Sequence, residues 1–501
     1  MINETKIHEG GHFKKYITKA PWYLISSVST KLIGFILLPV YTSYFSKEEI
    51  GSLSVYESLG RIIVVVISLY LDAAFTRYYY KVKSESPTRM ACFFSTHFWF
   101  VLLWGGGACI TMGLFIQPGV FSLPKASDLV IPALLFSQLF SQLVVMLTSL
   151  WSANLYVKRL AIFNILFSLL TLLITMYFIV VSKQSWEFRF YALFLISLIQ
   201  FVLVFLIVIK SKLLILSFDI EIIKTSLKFS IPLIPNIIAG WVAMFSDRII
   251  LSYYGHLDQV GVYSIAAQLT LVLYIVNDAI TRIQGPLAMS GMTEDIERAK
   301  QKMSDFVHIY LTILIFMYFI ISIFTPFFVN IAFGDEYKAV SDIFYILGWV
   351  YIFSGIYRVF TNVISYHNTT LYISTGAVLQ AIINVFSNLV LIPYYGMYAA
   401  ALSTLLSMMV YTIWLCYFSQ KLSPINIAYK QLALIVLVGI FSVILLRYLD
   451  NSDTITYVTY ILKAVLAIFV ALVLFLLQKN ESKVQIIQIT RRIWNERVQS
   501  R

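Results

Sequence analysis

Lys31 and Arg61 stand inside stretches that are otherwise long and apolar enough to cross a bilayer; "YLISSVSTKLIGFILLPVYTSYF" over residues 23–45 is the first. An ionised side chain at the centre of a span costs about 2.5–3.5 kcal/mol on insertion scales, so a cation kept there needs a partner or a water-filled cavity. At a rise of ~1.5 Å per residue, Lys31 falls about 15 Å beyond Pro21 and Arg61 about 15 Å beyond Gly51. Both cations therefore sit near the midplane, where they could hold an anionic group. Glu57 precedes Arg61 by four residues, the spacing of a same-face helical ion pair. The expectation is that these two pair and that Lys31 faces the substrate.

Other ionisable residues in apolar stretches are ranked by depth. Asp247 and Arg248 fall near the outer end of their span, Asp278 and Arg282 near the inner end of the next, where all four reach water or headgroups by snorkelling. Arg358 lies in the inner third of the tenth span and Lys463 in the outer third of the last. Arg358, Arg248 and Arg282 join Lys31 and Arg61 as candidate substrate contacts. Glu57, Asp72 and Asp278 are candidate proton or sodium sites, although an arginine four residues beyond Glu57 and Asp278 favours their ionised forms. Asp72, about 31 Å past Gly51 along one helix, is nearly at the inner surface. Pro39 removes the hydrogen bond to the Phe35 carbonyl, and with Gly34 nearby it marks a candidate gating segment.

The elements that must position these residues are transmembrane helices. The chain has 501 residues, 59% hydrophobic and only 12% charged, against roughly a quarter charged in a soluble domain. Fourteen apolar runs approach the length of about 20 residues that a helix needs to span. None shows the strand alternation of an outer-membrane barrel, so the fold class is all-α and polytopic, an integral membrane protein with 12 to 14 spans. The first run lacks a small-residue cleavage site and reads as a retained helix. Lys and Arg crowd alternate loops and both ends, which places both termini in the cytoplasm and makes the net charge of +12 a matter of topology rather than of nucleic-acid binding. Cys92, Cys109 and Cys416 read as small packing residues. With no G-x-x-x-x-G-K-[ST] loop and scattered histidines, neither direct ATP drive nor a metal or other cofactor is expected.

The chain also repeats itself. Residues 44–59, "YFSKEEIGSLSVYESL", match residues 254–269, "YGHLDQVGVYSIAAQL", at an offset of 210: Tyr44 on Tyr254, Glu48 on Asp258, Gly51 on Gly261, Ser54 on Ser264 and Leu59 on Leu269. An offset of six helices preserves orientation, so the halves are parallel repeats of the kind used by transporters that rock two lobes about a central site. The expected division is a cytoplasmic segment 1–21, a six-helix lobe 22–210, a cytoplasmic linker 211–228, a second six-helix lobe 229–420, two additional helices within 431–478, and a basic tail 479–501 able to lie on anionic lipid.

"STKLIGFILLPVYTSYFSKEEIGSLSVYESL", "SDRIILSYYGHLDQVGVYSIAAQL", "FGDEYKAVSDIFYIL" and "NVFSNLVLIPYYGMYAAALST" together resemble the bacterial polysaccharide transporter family, the O-antigen and related lipid-linked oligosaccharide flippases of the multidrug/oligosaccharidyl-lipid/polysaccharide exporter superfamily. The chain departs from the family pattern at Tyr398, where a glycine is common, and in its two extra C-terminal helices. The resemblance implies two six-helix bundles with a central cavity, and a substrate made of a glycan on undecaprenyl diphosphate, moved from the inner to the outer leaflet of the bacterial cytoplasmic membrane. Membrane lipids, a polysaccharide polymerase and a chain-length regulator are the partners it implies. A drug or metabolite antiporter, or a flippase for peptidoglycan precursor or teichoic acid, is the alternative on the same fold. The outer loops are short for a membrane glycosyltransferase or polymerase, so no enzyme is expected.

Overall fold

The computed structural model describes residues 20–116, 123–450 and 456–477, and among these every regular element is a helix. The first compact unit runs to Ser264. It holds α1 (Ala20–Tyr44), α2 (Lys47–Ser68), α3 (Leu71–Lys83), α4 (Pro87–Phe115), α5 (Val130–Ala153), α6 (Val157–Met176), α7 (Phe188–Lys210), the short α8 (Ile220–Ser230), α9 (Ile234–Tyr253) and the first turns of α10 (Leu257–Glu294). The second unit holds the rest of α10, then α11 (Ile296–Phe333), α12 (Ala339–Tyr366), α13 (Leu371–Leu422), α14 (Tyr429–Asp450) and α15 (Thr456–Leu476).

Eleven of the described helices are long and apolar enough to span. One of them, α13, is two spans: Pro393 withdraws a backbone donor, and Gly396 adopts φ 53°, ψ −132°, a conformation open to glycine and closed to side-chain-bearing residues. The 25-residue α1 and 21-residue α15 are each long enough to cross by themselves. The fourteen apolar runs read from hydropathy thus fall on the eleven candidate spans, with α13 broken into two, and on α1 and α15, whose described apolar stretches, Ile33–Tyr44 and Ile461–Leu476, are shorter. The N-terminal residues 1–19 and the basic tail 479–501 lie outside the described residues.

Local chemistry sets the helix ends. Ser46 caps α2 with a reciprocal capping box, accepting from the Glu49 N–H while the Glu49 carboxylate accepts from its own. At the far end Leu69 and Tyr70 are both left-handed, φ 46° and 58°, so α2 stops at Ser68 and α3 starts afresh. Asp72 is therefore carried by α3 and not by a continuation of α2, beyond the α2 span. α8 carries the amphipathic pattern of an interfacial helix. Its Ile222, Ile223 and Ser226 are buried against the unit while Lys224 and Lys228 face outward. Asp219 caps α8 and pairs with Arg89 of α4 at 2.9 Å.

In the first unit α1 packs on α6, α5 on α4 and α7, and α2 runs between α5 and α9. Because α9 lies along α2, contacts assign it and the start of α10 to the first unit. In the second unit α12 packs on α11 and α13, and α14 and α15 pack on α11.

Candidate polar sites within the spans

Three polar groupings lie within the membrane-spanning helices. The first surrounds α2. Arg61 is exposed on a helix that is otherwise largely buried, and its guanidinium lies over the ring of Phe245 on α9, 4.8 Å from the centroid, a cation–π contact that holds the charge in place without neutralising it. The expected Glu57–Arg61 pair does not form. Glu57 instead faces Arg189 at the start of α7, with Nε to Oε1 3.9 Å, and Arg189 Nη1 donates to Thr175 Oγ1 at 3.0 Å. The i,i+4 spacing made the local pair available, but the packing of α7 offers Glu57 a tertiary partner. Lys31 is half-buried on α1. That helix continues unbroken through Pro39, whose carbonyl accepts from the Thr42 and Ser43 hydroxyls at 3.1 and 2.7 Å. Gly34 is half-buried on the same helix.

Arg189 also walls a polar cavity of about 230 Å³ with Ser141, Asn164, Ser168, Thr171 and Gln200. Neutral polar side chains on three helices are an expensive lining in hydrocarbon unless they meet water or one another. The charge scan did not find this cavity, because only Arg189 in it is ionisable.

The second grouping is a buried knot on α9 and α10. Asp247 and Arg248 are 2% and 8% exposed, so they do not snorkel as their depth suggested. Arg248 Nη1 lies 3.3 Å from Asp247 Oδ1 and donates to the Met244 carbonyl at 2.8 Å, while Nε donates to Ser264 Oγ at 3.3 Å. Asp247 further accepts from the Arg248 backbone N–H at 2.8 Å and from the Tyr263 hydroxyl. Every charge in the knot is matched and hydrogen-bonded, the condition under which buried ions persist.

The third grouping is a polar seam between α10 and α12. Asn277 donates to the Tyr351 carbonyl at 2.6 Å and to Ser354 Oγ at 3.1 Å, and accepts from the Tyr310 hydroxyl at 2.8 Å. Arg358 Nη1 donates to Thr281 Oγ1 at 3.3 Å, and Asn362 donates to Gln284 at 2.6 Å. Asp278 acts electrostatically on Arg358, whose guanidinium lies 5.9 Å from the Tyr274 ring. The buried Arg358 Nε has no hydrogen-bond partner. Half-buried tyrosines flank it: Tyr357 packs on Tyr411 with centroids 5.0 Å apart, and Tyr274 on Tyr351 at 6.3 Å. Sequence reasoning found Arg358 and Asp278 and missed Asn277, Gln284 and Asn362. The available signal was polar residues recurring on one face of each helix, Asn277, Thr281 and Gln284 on α10 and Ser354, Arg358 and Asn362 on α12. The side chain of Arg282 lies outside the described residues. Asp72 sits half-buried in the first turn of α3, beyond the α2 span, and burial raises its carboxyl above the usual range against hydrogen bonds from its own and the Ala73 backbone N–H. Lys463 is buried too, paired with Asp450 of α14, so it does not snorkel either.

Against known families, residues 62–342, more than half of the chain, match the model described as "Polysaccharide biosynthesis protein". The chain belongs to that family. Among solved structures it is similar to a lipid II flippase MurJ in an inward closed conformation, 14% identical with a TM-score of 0.68, covering 90% of this chain and 97% of that one. It is also similar to an inward-facing multidrug resistance MATE family transporter of the MOP superfamily, 12% identical, TM-score 0.63, covering 81% and 99%. Lsg locus putative protein 1 of Haemophilus influenzae is 38% identical over 58 residues, a match that spans 12% of this chain and 14% of that relative. The fold is that of polytopic membrane transporters and flippases.

Proposed function

We propose that this family member flips an oligosaccharide linked to undecaprenyl diphosphate from the inner to the outer leaflet of the cytoplasmic membrane, by alternating access through a cationic cavity. The observation that carries the reading is Arg61: an exposed guanidinium partway along a span, braced by an aromatic ring and released from Glu57 by Arg189. A charge of that kind is costly in hydrocarbon, and an anionic headgroup offsets the cost only while it passes. Lys31 is assigned as the second diphosphate contact. Arg358, with a guanidinium nitrogen left without a partner and tyrosines on either side, is assigned to the glycan or its phosphate; Arg282 stays in the set by position. Arg248 is buried against Asp247 and does not join the substrate contacts.

The same reading places both termini in the cytoplasm, takes the repeat-based lobes 22–210 and 229–420 with linker 211–228 as the moving parts, and keeps Gly34 and Pro39 as the gating segment. Coupling to H+ or Na+ runs through Glu57, beside the polar cavity, or through Asp278; Asp72 lies beyond the spans and is the weaker candidate. A polymerase and a chain-length regulator would act on the exported product. A cationic-drug antiporter on the same fold is disfavoured, because a site that includes Lys31 and Arg61 repels a cationic drug.

Replacing Lys31→Ala and Arg61→Ala, each at wild-type abundance in the membrane, is expected to reduce surface glycan in cells that depend on this chain. Normal export by both variants contradicts the assignment.

A further inference from the structure

The two repeated segments meet at their own equivalent residues. α2 and the first turns of α10 cross so closely that a Cβ on Gly51 would lie 3.0 Å from the Leu257 carbonyl carbon and 3.3 Å from the Gly261 nitrogen. Reciprocally, a Cβ on Gly261 would lie 3.0 Å from the Lys47 carbonyl carbon and 3.3 Å from the Gly51 nitrogen. In each case the carbonyl oxygen is nearer still. Lys47 and Leu257, like Gly51 and Gly261, are separated by the repeat offset of 210. One turn on, the Ser54 and Ser264 hydroxyls share a hydrogen bond of 2.6 Å at the same offset. Residues that touch their own equivalents, with distances that agree both ways, lie at a local two-fold axis, as in an isologous interface.

The crossing has two further properties. At the glycines the approach is backbone to backbone, and one turn on it is hydroxyl to hydroxyl; small residues permit this approach. It is also tied to the buried charge knot, since Arg248 Nε donates to the same Ser264 oxygen that Ser54 engages, and Asp247 holds Arg248 in place. A buried ion pair is weak evidence for stability, and fixing a register or a switch is its best-attested use.

We propose that this crossing is a closure that opens and re-forms during transport, and that Arg248 is its positioning residue, holding Ser264 against Ser54. By the distribution of loop charges it lies at the outer ends of the two spans, so its closed form seals the outward path. The proposal rests on the alternating-access reading above, and the test separates the two. In a chain with Cys92, Cys109 and Cys416 replaced by alanine, the Ser54→Cys thiol is labelled from outside intact cells with a membrane-impermeant maleimide. Adding Gly51→Ala with Gly261→Ala, or Arg248→Gln, is expected to raise labelling severalfold at unchanged protein level. Arg248→Gln introduces no clash and serves if the glycine pair fails to insert. Unchanged labelling overturns the closure, and this readout requires no transport. In the Ser54→Cys/Ser264→Cys chain, oxidation to a disulfide, for which the 2.6 Å hydroxyl separation is favourable, is expected to stop glycan export, and reduction to restore it. Export by the cross-linked protein overturns the closure. If the wild-type chain exports no glycan, the proposed function fails while the labelling still decides the crossing.

Discussion

Replacing Asp247 by Asn keeps the side-chain shape and removes its charge. The amide oxygen in place of Oδ1 can still accept from the Arg248 backbone N–H, and the amide nitrogen in place of Oδ2 can donate to the Tyr263 hydroxyl, so both hydrogen bonds keep a counterpart and the substitution removes chiefly the ionic contribution. At the observed 3.3 Å and an effective dielectric of ~20, the direct attraction is about 5 kcal/mol. Removing one member of a buried pair typically costs about 3–5 kcal/mol, because the remaining charge stays buried without compensation. The Met244 carbonyl and Ser264 hydroxyl still bind the guanidinium, and the Phe245 and Tyr263 rings lie 5.3 and 5.4 Å from it. These soften the loss, and the expected destabilisation for Asp247→Asn is about 3 kcal/mol. The assay is denaturant unfolding of the purified protein in detergent micelles, run as a double-mutant cycle with Arg248→Gln. Removing both charges is expected to recover most of the loss, giving a coupling of about 2 kcal/mol or more. A single-variant loss below about 1 kcal/mol, or strictly additive losses, refutes mutual compensation in the knot.

Gly396→Ala forces a side chain into φ 53°, ψ −132°; a loss of about 1–3 kcal/mol is expected, read in the same unfolding assay, and a neutral result contradicts the broken-helix description of α13. Lys463→Ala removes the ammonium paired with the half-buried Asp450 and leaves it, among the described residues, the Tyr345 hydroxyl 2.9 Å away, so protease resistance of the α14–α15 pair is expected to fall, with Lys463→Ala/Asp450→Asn recovering part of it. At Asp219, slight desolvation pushes the carboxyl up, but hydrogen bonds from Arg89 and from the Glu221 and Ile222 backbone hold it below its usual range. Its contribution is therefore present above the ordinary carboxylate range and lost as pH falls through the lowered value. Protease cleavage of the linker should rise on acidification in the wild type, and Asp219→Asn should flatten that rise.

What the sequence made legible was whatever a single helix or a spacing determines. Hydropathy located the helices that are long and apolar enough to span, eleven of them among the described residues, because apolar length is written residue by residue. The repeat alignment put Gly51 on Gly261 and Ser54 on Ser264, and those pairs touch, because a contact on a symmetry axis joins equivalent residues. Partner choice was not legible. Glu57 had Arg61 at helical spacing, yet Arg189 from α7 takes it, and no local rule ranks a tertiary neighbour against a local one. Depth along an ideal helix carried α2 past its end at Ser68, where Leu69 and Tyr70 turn left-handed, and it misread Asp247, Arg248 and Lys463 as snorkelling, since burial depends on what packs alongside. A search for charge passed over Asn277, Gln284 and Asn362, although neutral amides build most of the seam in which Arg358 lies.

The central claim is movement of a lipid-linked anionic glycan between leaflets. The direct measurement reconstitutes the purified chain in vesicles that carry undecaprenyl-diphosphate oligosaccharide labelled on the sugar, and follows its exposure to a membrane-impermeant sugar-modifying reagent. The account predicts that wild-type protein makes the inner-leaflet pool accessible and that Lys31→Ala/Arg61→Ala, reconstituted to the same density, does not. An inner pool that stays protected with wild-type protein, or one released equally by the variant, contradicts it.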